Sequence, residues 1–326
     1  MRVFMTGATG FIGAHLTRGL VAQGHEVVAL VRDAKKAAAE LPAKGVTTVS
    51  GDLSIFEQPE LVLPACDVVI HLAGVVAAPT PADYDAINYD AVRHLVGALA
   101  RQSWKPRRLL FASSLAAVGP SASRTPKTER DAAEPIEPYG RAKLKAEQFL
   151  AARAPFPVTA FRPPLVFGPR DTATLTFYKM ARRGFGFRVA GAPQALSFVD
   201  IDDAVAAIIA MAGDTGSAHH TYFLSAREDM DTERLWSAMS EATGRRLRVV
   251  RVPRPVLRGA SMATTALAKV FRFTNQLDKK QVDQMTAPAF LCSSAALQEA
   301  HGWAPRVSLV ESLAKAWAGY RADGWL

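Results

Sequence analysis

Thr6-Gly7-Ala8-Thr9-Gly10-Phe11-Ile12-Gly13 is the stretch that decides how this chain folds. An apolar run over 3–6 precedes it, and an amphipathic pattern over 12–23 follows. A Gly-x-x-Gly-x-x-Gly turn between a strand and a helix lets the backbone approach a pyrophosphate. The helix start then offers free N–H groups and a positive dipole end to its charge. Gly7, Thr9, Gly10, Phe11, Ile12 and Gly13 are therefore expected to hold the phosphates of a dinucleotide, with Gly13 letting the helix pack closely on the strand. An ordinary tight turn does not explain three glycines at this spacing.

Working outward, short β-rich runs at 27–31, 46–49, 68–72, 109–112 and 158–161 alternate with amphipathic stretches such as 84–102. Strand–helix alternation of this kind predicts an α/β chain with a Rossmann-type, doubly wound parallel sheet. After Gly168 the pattern loosens. Helices are expected at 175–183, 202–211, 232–243 and 309–320, and short strands at 221–224 and 247–252. The expected division is a dinucleotide-binding domain over 1–168 and a smaller C-terminal α/β substrate lobe over 169–326, with 196–212 returning to the sheet.

The second predicted strand ends Leu30-Val31-Arg32-Asp33. An acid near this point commonly holds the ribose 2′-hydroxyl of NAD, whereas a cation suits the 2′-phosphate of NADP. Arg32, with Lys35 and Lys36 close behind, favours NADP(H). Asp33 keeps NAD(H) open, because it could turn inward.

Composition narrows the class. The chain has 326 residues, 49% hydrophobic and 21% charged, which suits a globular enzyme-sized protein. The N-terminal residues carry no signal-peptide pattern, and no apolar stretch is long enough to span a bilayer. A cytoplasmic location is expected. Cys66 and Cys292 lack metal-ligand spacing and read as small hydrophobes; no metal site is expected. The net charge of +9 is unevenly spread. No acid occurs from Ala242 to Leu277, while Arg254, Arg258, Lys269 and Arg272 recur there at helical steps with Ser261 and Thr265. This predicts a basic amphipathic helix suited to an anionic membrane, which would place the protein peripherally on the inner face. A nucleic-acid partner is not expected, since no aromatic-interleaved or recognition-helix pattern accompanies the charge.

The glycine turn, Gly51-Asp52-Leu53, His71-Leu72-Ala73-Gly74, Ser113-Ser114, Tyr139-Gly140-Arg141-Ala142-Lys143 and Arg162-Pro163-Pro164-Leu165-Val166-Phe167-Gly168-Pro169 occur in one order. In this the chain resembles the extended short-chain dehydrogenase/reductases, the group that includes the NAD-dependent epimerase/dehydratases. The likeness runs to Gly302-Trp303-x-Pro305 and the segment 320–325. It implies that Ser114, Tyr139 and Lys143 are catalytic and that Lys143 also holds the nicotinamide ribose. Asp52 and Leu53 would meet the adenine; Leu72, Ala73 and Gly74 would line the cofactor. Asn88 would stand near the active site, although Tyr89–Val92 departs from the family's usual continuation. Pro164 would meet the nicotinamide through its backbone. The chemistry is physical. Residues four apart share a helix face, so Lys143 would sit near the Tyr139 phenol and lower its pKa. The phenol could then exchange a proton with a substrate oxygen that Ser114 also holds. His71, in a buried strand, reads as a satisfied core histidine.

Two departures bear on the substrate. Leu165 stands where the sugar-nucleotide enzymes of this group have an asparagine, and Leu196 where they have a diphosphate-gripping arginine. A buried diphosphate without a cation is costly, although Arg188 could substitute. The resemblance is thus nearer to the dihydroflavonol reductases and 3β-hydroxysteroid dehydrogenases. The expected activity is NADPH-dependent reduction of a ketone, or the reverse alcohol oxidation, on a hydrophobic molecule such as a sphingoid or ceramide ketone. A nucleotide-sugar 4-epimerase or dehydratase is the alternative, and a non-catalytic dinucleotide-binding subunit the second. Assembly as a homodimer is left open.

Overall fold

A computed structural model describes residues 1–121, 123–191, 193–271 and 279–326, and the side chains of all of these except 265–271 and 279–281. Six strands follow the predicted runs: β1 (Arg2–Thr6), β2 (Glu26–Val31), β3 (Val46–Ser50), β4 (Val68–His71), β5 (Arg108–Ala112) and β6 (Val158–Arg162). Then come β7 (Leu165–Phe167), β8 (Phe185–Val189), β9 (Ala195–Leu196), β10 (Phe198–Asp200) and β11 (His220–Phe223). The last are β12 (Met230–Asp231), β13 (Arg248–Val252) and β14 (Ala289–Phe290).

The main sheet has seven parallel strands in the order β3-β2-β1-β4-β5-β6-β11. Successive side chains leave a strand on opposite faces, and both faces of this sheet are apolar. Val3, Met5, Val27, Ala29, Val68 and Ile70 pack with helices Phe11–Ala22 and Ile201–Ala212. Phe4, Val28, Val69, Leu109 and Phe111 face the other way, onto Leu95 and Leu99 of helix Ala91–Arg101 and Leu150 of helix Pro138–Arg153. Strand order reverses between β1 and β4, and a crevice opens outside their carboxyl ends, where α/β sheets bind ligands.

The run at 221–224, which the sequence pattern assigned to the smaller lobe, is instead the seventh strand of this sheet. Phe223 is fully buried, and β11 pairs along β6 from His220–Thr159 to Phe223–Arg162. A short apolar run carries no mark of which sheet it joins; that is set by the helix Ile201–Ala212 crossing back over the face. The lobe has its own core of Phe167, Tyr178, Phe198, Trp236, Leu313 and Tyr320. Both cysteines are free and buried.

Candidate active site

The turn after β1 is built so that only glycine fits. Gly7 has φ +75°, and a Cβ there would lie 2.7 Å from the Ala73 backbone nitrogen at the end of β4. A Cβ on Gly13 would stand 2.1 Å from the Gly7 carbonyl oxygen, so the helix start presses directly on the turn. That helix begins at Gly10 with no side-chain cap, which leaves its first-turn N–H groups for a ligand. Phe11 opens the helix, its ring edge-on to His15, and Ile12 packs on the sheet core.

A cavity of about 420 Å³ runs from this turn across the sheet ends. Thr6, Gly7, Thr9 and Gly10 line one part, Leu72, Ala73, Gly74 and Val75 another, and Leu30, Arg32, Lys36, Asp52 and Leu53 the far end. These residues fit an extended dinucleotide: an uncapped helix start for phosphates, apolar walls for a base, and two cations where the second strand ends. Asp52 caps the short helix Leu53–Glu57. Hydrogen bonds from the Ser54 hydroxyl and N–H hold its carboxyl below the usual range, and Arg32 adds to the effect. Asp33 does not line the cavity. Its carboxylate accepts the Lys36 N–H at 3.0 Å and caps helix Ala34–Glu40.

Ser114, Tyr139 and Lys143 converge at the end of β5. Ser114 caps the turn Leu115–Ala117, its Oγ accepting the Ala116 N–H at 3.1 Å, and its hydroxyl also bonds the Tyr139 phenol. Lys143 is buried; its ammonium donates to the Ala112 carbonyl at 2.8 Å and lies over the Phe111 ring. The Tyr139 phenol corrects the sequence-based expectation. It is pushed up to about 12, not down, because removal from water outweighs the bond from Ser114. Lys143 is engaged by Ala112, lies 6.0 Å from the tyrosine ring centre, and is itself pushed down to about 8 by burial. Tyr139 is thus a protonated phenol at neutral pH, the form that donates a proton to a developing alkoxide.

Asn88 belongs to a π-helical turn, Ala86–Asp90, a feature frequent at functional sites. Its amide closes on Val75 in both directions, accepting the N–H at 3.1 Å and donating to the carbonyl at 3.0 Å. A Cβ on Gly74 would stand 2.6 Å from the Asn88 amide oxygen and 3.1 Å from the Lys143 ammonium. Asn88 therefore shapes the cofactor-lining loop from behind. Pro164 links β6 to β7 beside the Pro163 carbonyl, which accepts the Leu115 N–H.

His71 is fully buried in β4. Its Nδ1 meets the Thr6 hydroxyl at 2.8 Å, that hydroxyl accepts the Ala73 N–H, and the ring stacks on Phe111. Burial, with Lys143 nearby, pushes it down to about 3. Between pH 6.5 and about 3 the unfolded chain holds this proton and the folded one does not, so stability falls as pH falls through that window. His71→Asn should remove one proton from the slope of stability against pH. Urea unfolding between about pH 4 and 6 checks this, and an unchanged slope would mean that His71 protonates in place.

On the substrate side, Leu165 and Leu196 both pack against the lobe core, and Leu196 stands opposite Met230 and Phe290. Arg188 offers no replacement cation. It is buried, paired with Glu233 at 3.0 Å and bonded to the Val189 and Gly191 carbonyls. Sequence reasoning did not single out Tyr84, whose ring lies 6.4 Å from that of Tyr139, nor the buried pair Glu147–Arg162. Glu147 stands four residues past Lys143, the same helical step that joins Lys143 to Tyr139, and that step was the available signal.

A model of the NAD dependent epimerase/dehydratase family matches residues 3–224. Among curated proteins, the chain is 27% identical over 331 residues to a ceramide reductase of Caulobacter vibrioides, covering 99% of this chain and 96% of that protein. It is 28% identical over 270 residues to the 4-hydroxy-2-methyl-3-oxo-4-farnesyl-3,4-dihydroquinoline-1-oxide ketoreductase of Stigmatella aurantiaca, covering 80% and 79%. Among solved structures, a UDP-glucuronic acid 4-epimerase from Bacillus cereus in complex with NAD superposes with a TM-score of 0.76 at 19% identity, covering 99% of each chain. At that identity the likeness shows the fold alone.

Proposed function

The chain belongs to the NAD dependent epimerase/dehydratase family, and on that premise we propose that it reduces a ketone on a hydrophobic, lipid-like substrate using NADPH. The reading rests above all on the convergence of Ser114, Tyr139 and Lys143 at the end of β5, beside the cavity wall at Gly74, where the Tyr139 phenol can donate a proton. A nicotinamide dinucleotide supplies the hydride when bound. Ser114 and Tyr139 then hold the carbonyl oxygen, and Tyr139 delivers the proton as negative charge develops there. The reverse alcohol oxidation uses the same groups. Apolar Leu165 and Leu196, and an Arg188 already engaged by Glu233, favour a substrate without a diphosphate. The two relatives named above are a ceramide reductase and a ketoreductase of a farnesyl-bearing compound, which supports a ceramide- or sphingoid-type ketone.

NADPH is favoured over NADH by Arg32 and Lys36 at the cavity's far end and by Asp33 being occupied as a helix cap. Arg32→Ala should weaken NADPH by roughly tenfold to a hundredfold, the worth of a charge-assisted contact, and NADH far less. Fluorescence titrations with both cofactors check this, and equal losses would overturn the NADPH assignment. The substrate reading is tested by following NADPH oxidation with a long-chain 3-keto sphingoid base in detergent, beside an epimerisation assay on UDP-glucose. Turnover of UDP-glucose, with no oxidation of NADPH by the keto lipid, would replace the reductase reading by the epimerase one.

A further inference from the structure

The segment from β13 through the start of helix Arg254–Phe271 faces outward with the wrong chemistry for water. In the first turns of the helix, Leu257 and Ser261 are the buried positions. This corrects the sequence-based face, which grouped Ser261 with the exposed cations. Opposite the buried line, by helical geometry, stand Pro255, Val256, Gly259, Met262 and Ala263, with Arg258 along one edge and Arg254 beyond it, nearer the buried line. Val256 is 59% and Met262 75% exposed. The preceding strand β13 adds Val250, 55% exposed, on the same face as Arg248; Arg251 leaves the strand on the other face, towards Glu233 and Glu241. A helix that merely covers a lobe turns its polar side outward. Here the outward side is apolar and bordered along one edge by cations, in a stretch of sequence from Ala242 to Leu277 that contains no acid. Arg272 lies outside the described residues, as does the side chain of Lys269. Among the described residues no helix is long and apolar enough to cross a membrane.

We propose that this face docks on an anionic lipid bilayer, with Val250, Val256 and Met262 entering the headgroup boundary and Arg248, Arg254 and Arg258 meeting lipid phosphates. Buried apolar area and electrostatic attraction are the two terms that hold an interfacial helix. Beyond the docking segment, helix Lys279–Thr286 leads to β14, where Phe290 stands opposite Leu196. The docking face is thereby tied to the apolar side of the site, yet the proposal stands whether or not the substrate is a lipid.

The test is co-sedimentation of the full chain with vesicles of phosphatidylcholine alone or mixed with phosphatidylglycerol, over a salt series. The protein should pellet with the anionic vesicles at low salt and be released as the Debye length shrinks below about 10 Å. Replacing Arg248, Arg254 and Arg258 by Ser should weaken this binding on the order of a hundredfold, since each surface cation is worth about fivefold. Replacing the same three by Lys should preserve it, because only the charge is used and the fold is kept. Val250→Ser, Val256→Ser and Met262→Ser together should cost roughly tenfold at every salt concentration, an unscreened apolar loss. Failure to pellet at low salt would overturn the proposal. So would undiminished binding by the serine variant, or a DNA duplex held more tightly than the vesicles at the same salt.

Discussion

Tyr139→Phe should lower turnover by roughly two to four orders of magnitude, the usual share of a general acid. Its dinucleotide affinity should hold, since the glycine turn and Lys143 are untouched. The substitution removes one oxygen from a ring held beside Tyr84 and Ser114, so the packing is preserved. The pH profile separates the residues. With its phenol pushed up to about 12, Tyr139 stays protonated across the neutral range and gives no limb there. Lys143, pushed down to about 8, is charged below that pH and neutral above it. Reduction, read as kcat/KM, should therefore fall as pH rises through about 8. The limb should persist in the residual activity of Tyr139→Phe, because it belongs to Lys143. Near-normal turnover of the variant in stopped-flow NADPH oxidation would remove Tyr139 from the mechanism.

What was legible in the sequence was what local chemistry fixes. Gly7 and Gly13 are demanded by a positive φ and by backbone contacts under 3 Å, so the turn announces itself. Strands β1, β2, β4, β5 and β6 are buried on both faces and read as apolar runs, while β3 is a largely exposed edge strand. Ser114, Tyr139 and Lys143 were singled out by the resemblance to the family; a strand end and one helical step account for their coming together. What failed depended on long-range burial. The Tyr139 phenol shifts upward because surrounding elements exclude water, which no spacing reveals. The strand His220–Phe223 could join either sheet until the helix before it is placed. The outward face of helix Arg254–Phe271 was misjudged because charge periodicity does not say which side the lobe covers. Leu257 and Ser261, an apolar and a polar residue, share the buried line.

Glu147→Ala should be the most destabilising single change near the site, by about 3–5 kcal/mol, because it leaves the Arg162 guanidinium buried without its counter-charge. The pair is bidentate, with Arg162 Nε donating to one carboxylate oxygen at 2.9 Å and Nη2 to the other at 2.5 Å. Both side chains are almost wholly enclosed. Arg162 also lies over the Phe223 ring, so the loss is felt by the tyrosine helix, β6 and β11 together. Denaturant unfolding measures the cost, and a loss below about 1 kcal/mol would show that water reaches the pair. The double variant Glu147→Leu with Arg162→Met should recover much of it, since an apolar pair of similar volume escapes the desolvation penalty of two ions. Recovery of stability should not restore the pH profile. Glu147 is the charge that favours the protonated form of Lys143 against burial. Without it the alkaline limb should move below about 8 in the single and double variants alike. A limb that stays in place would confine Glu147 to holding Arg162 and leave the Lys143 proton to burial and the Ala112 carbonyl alone.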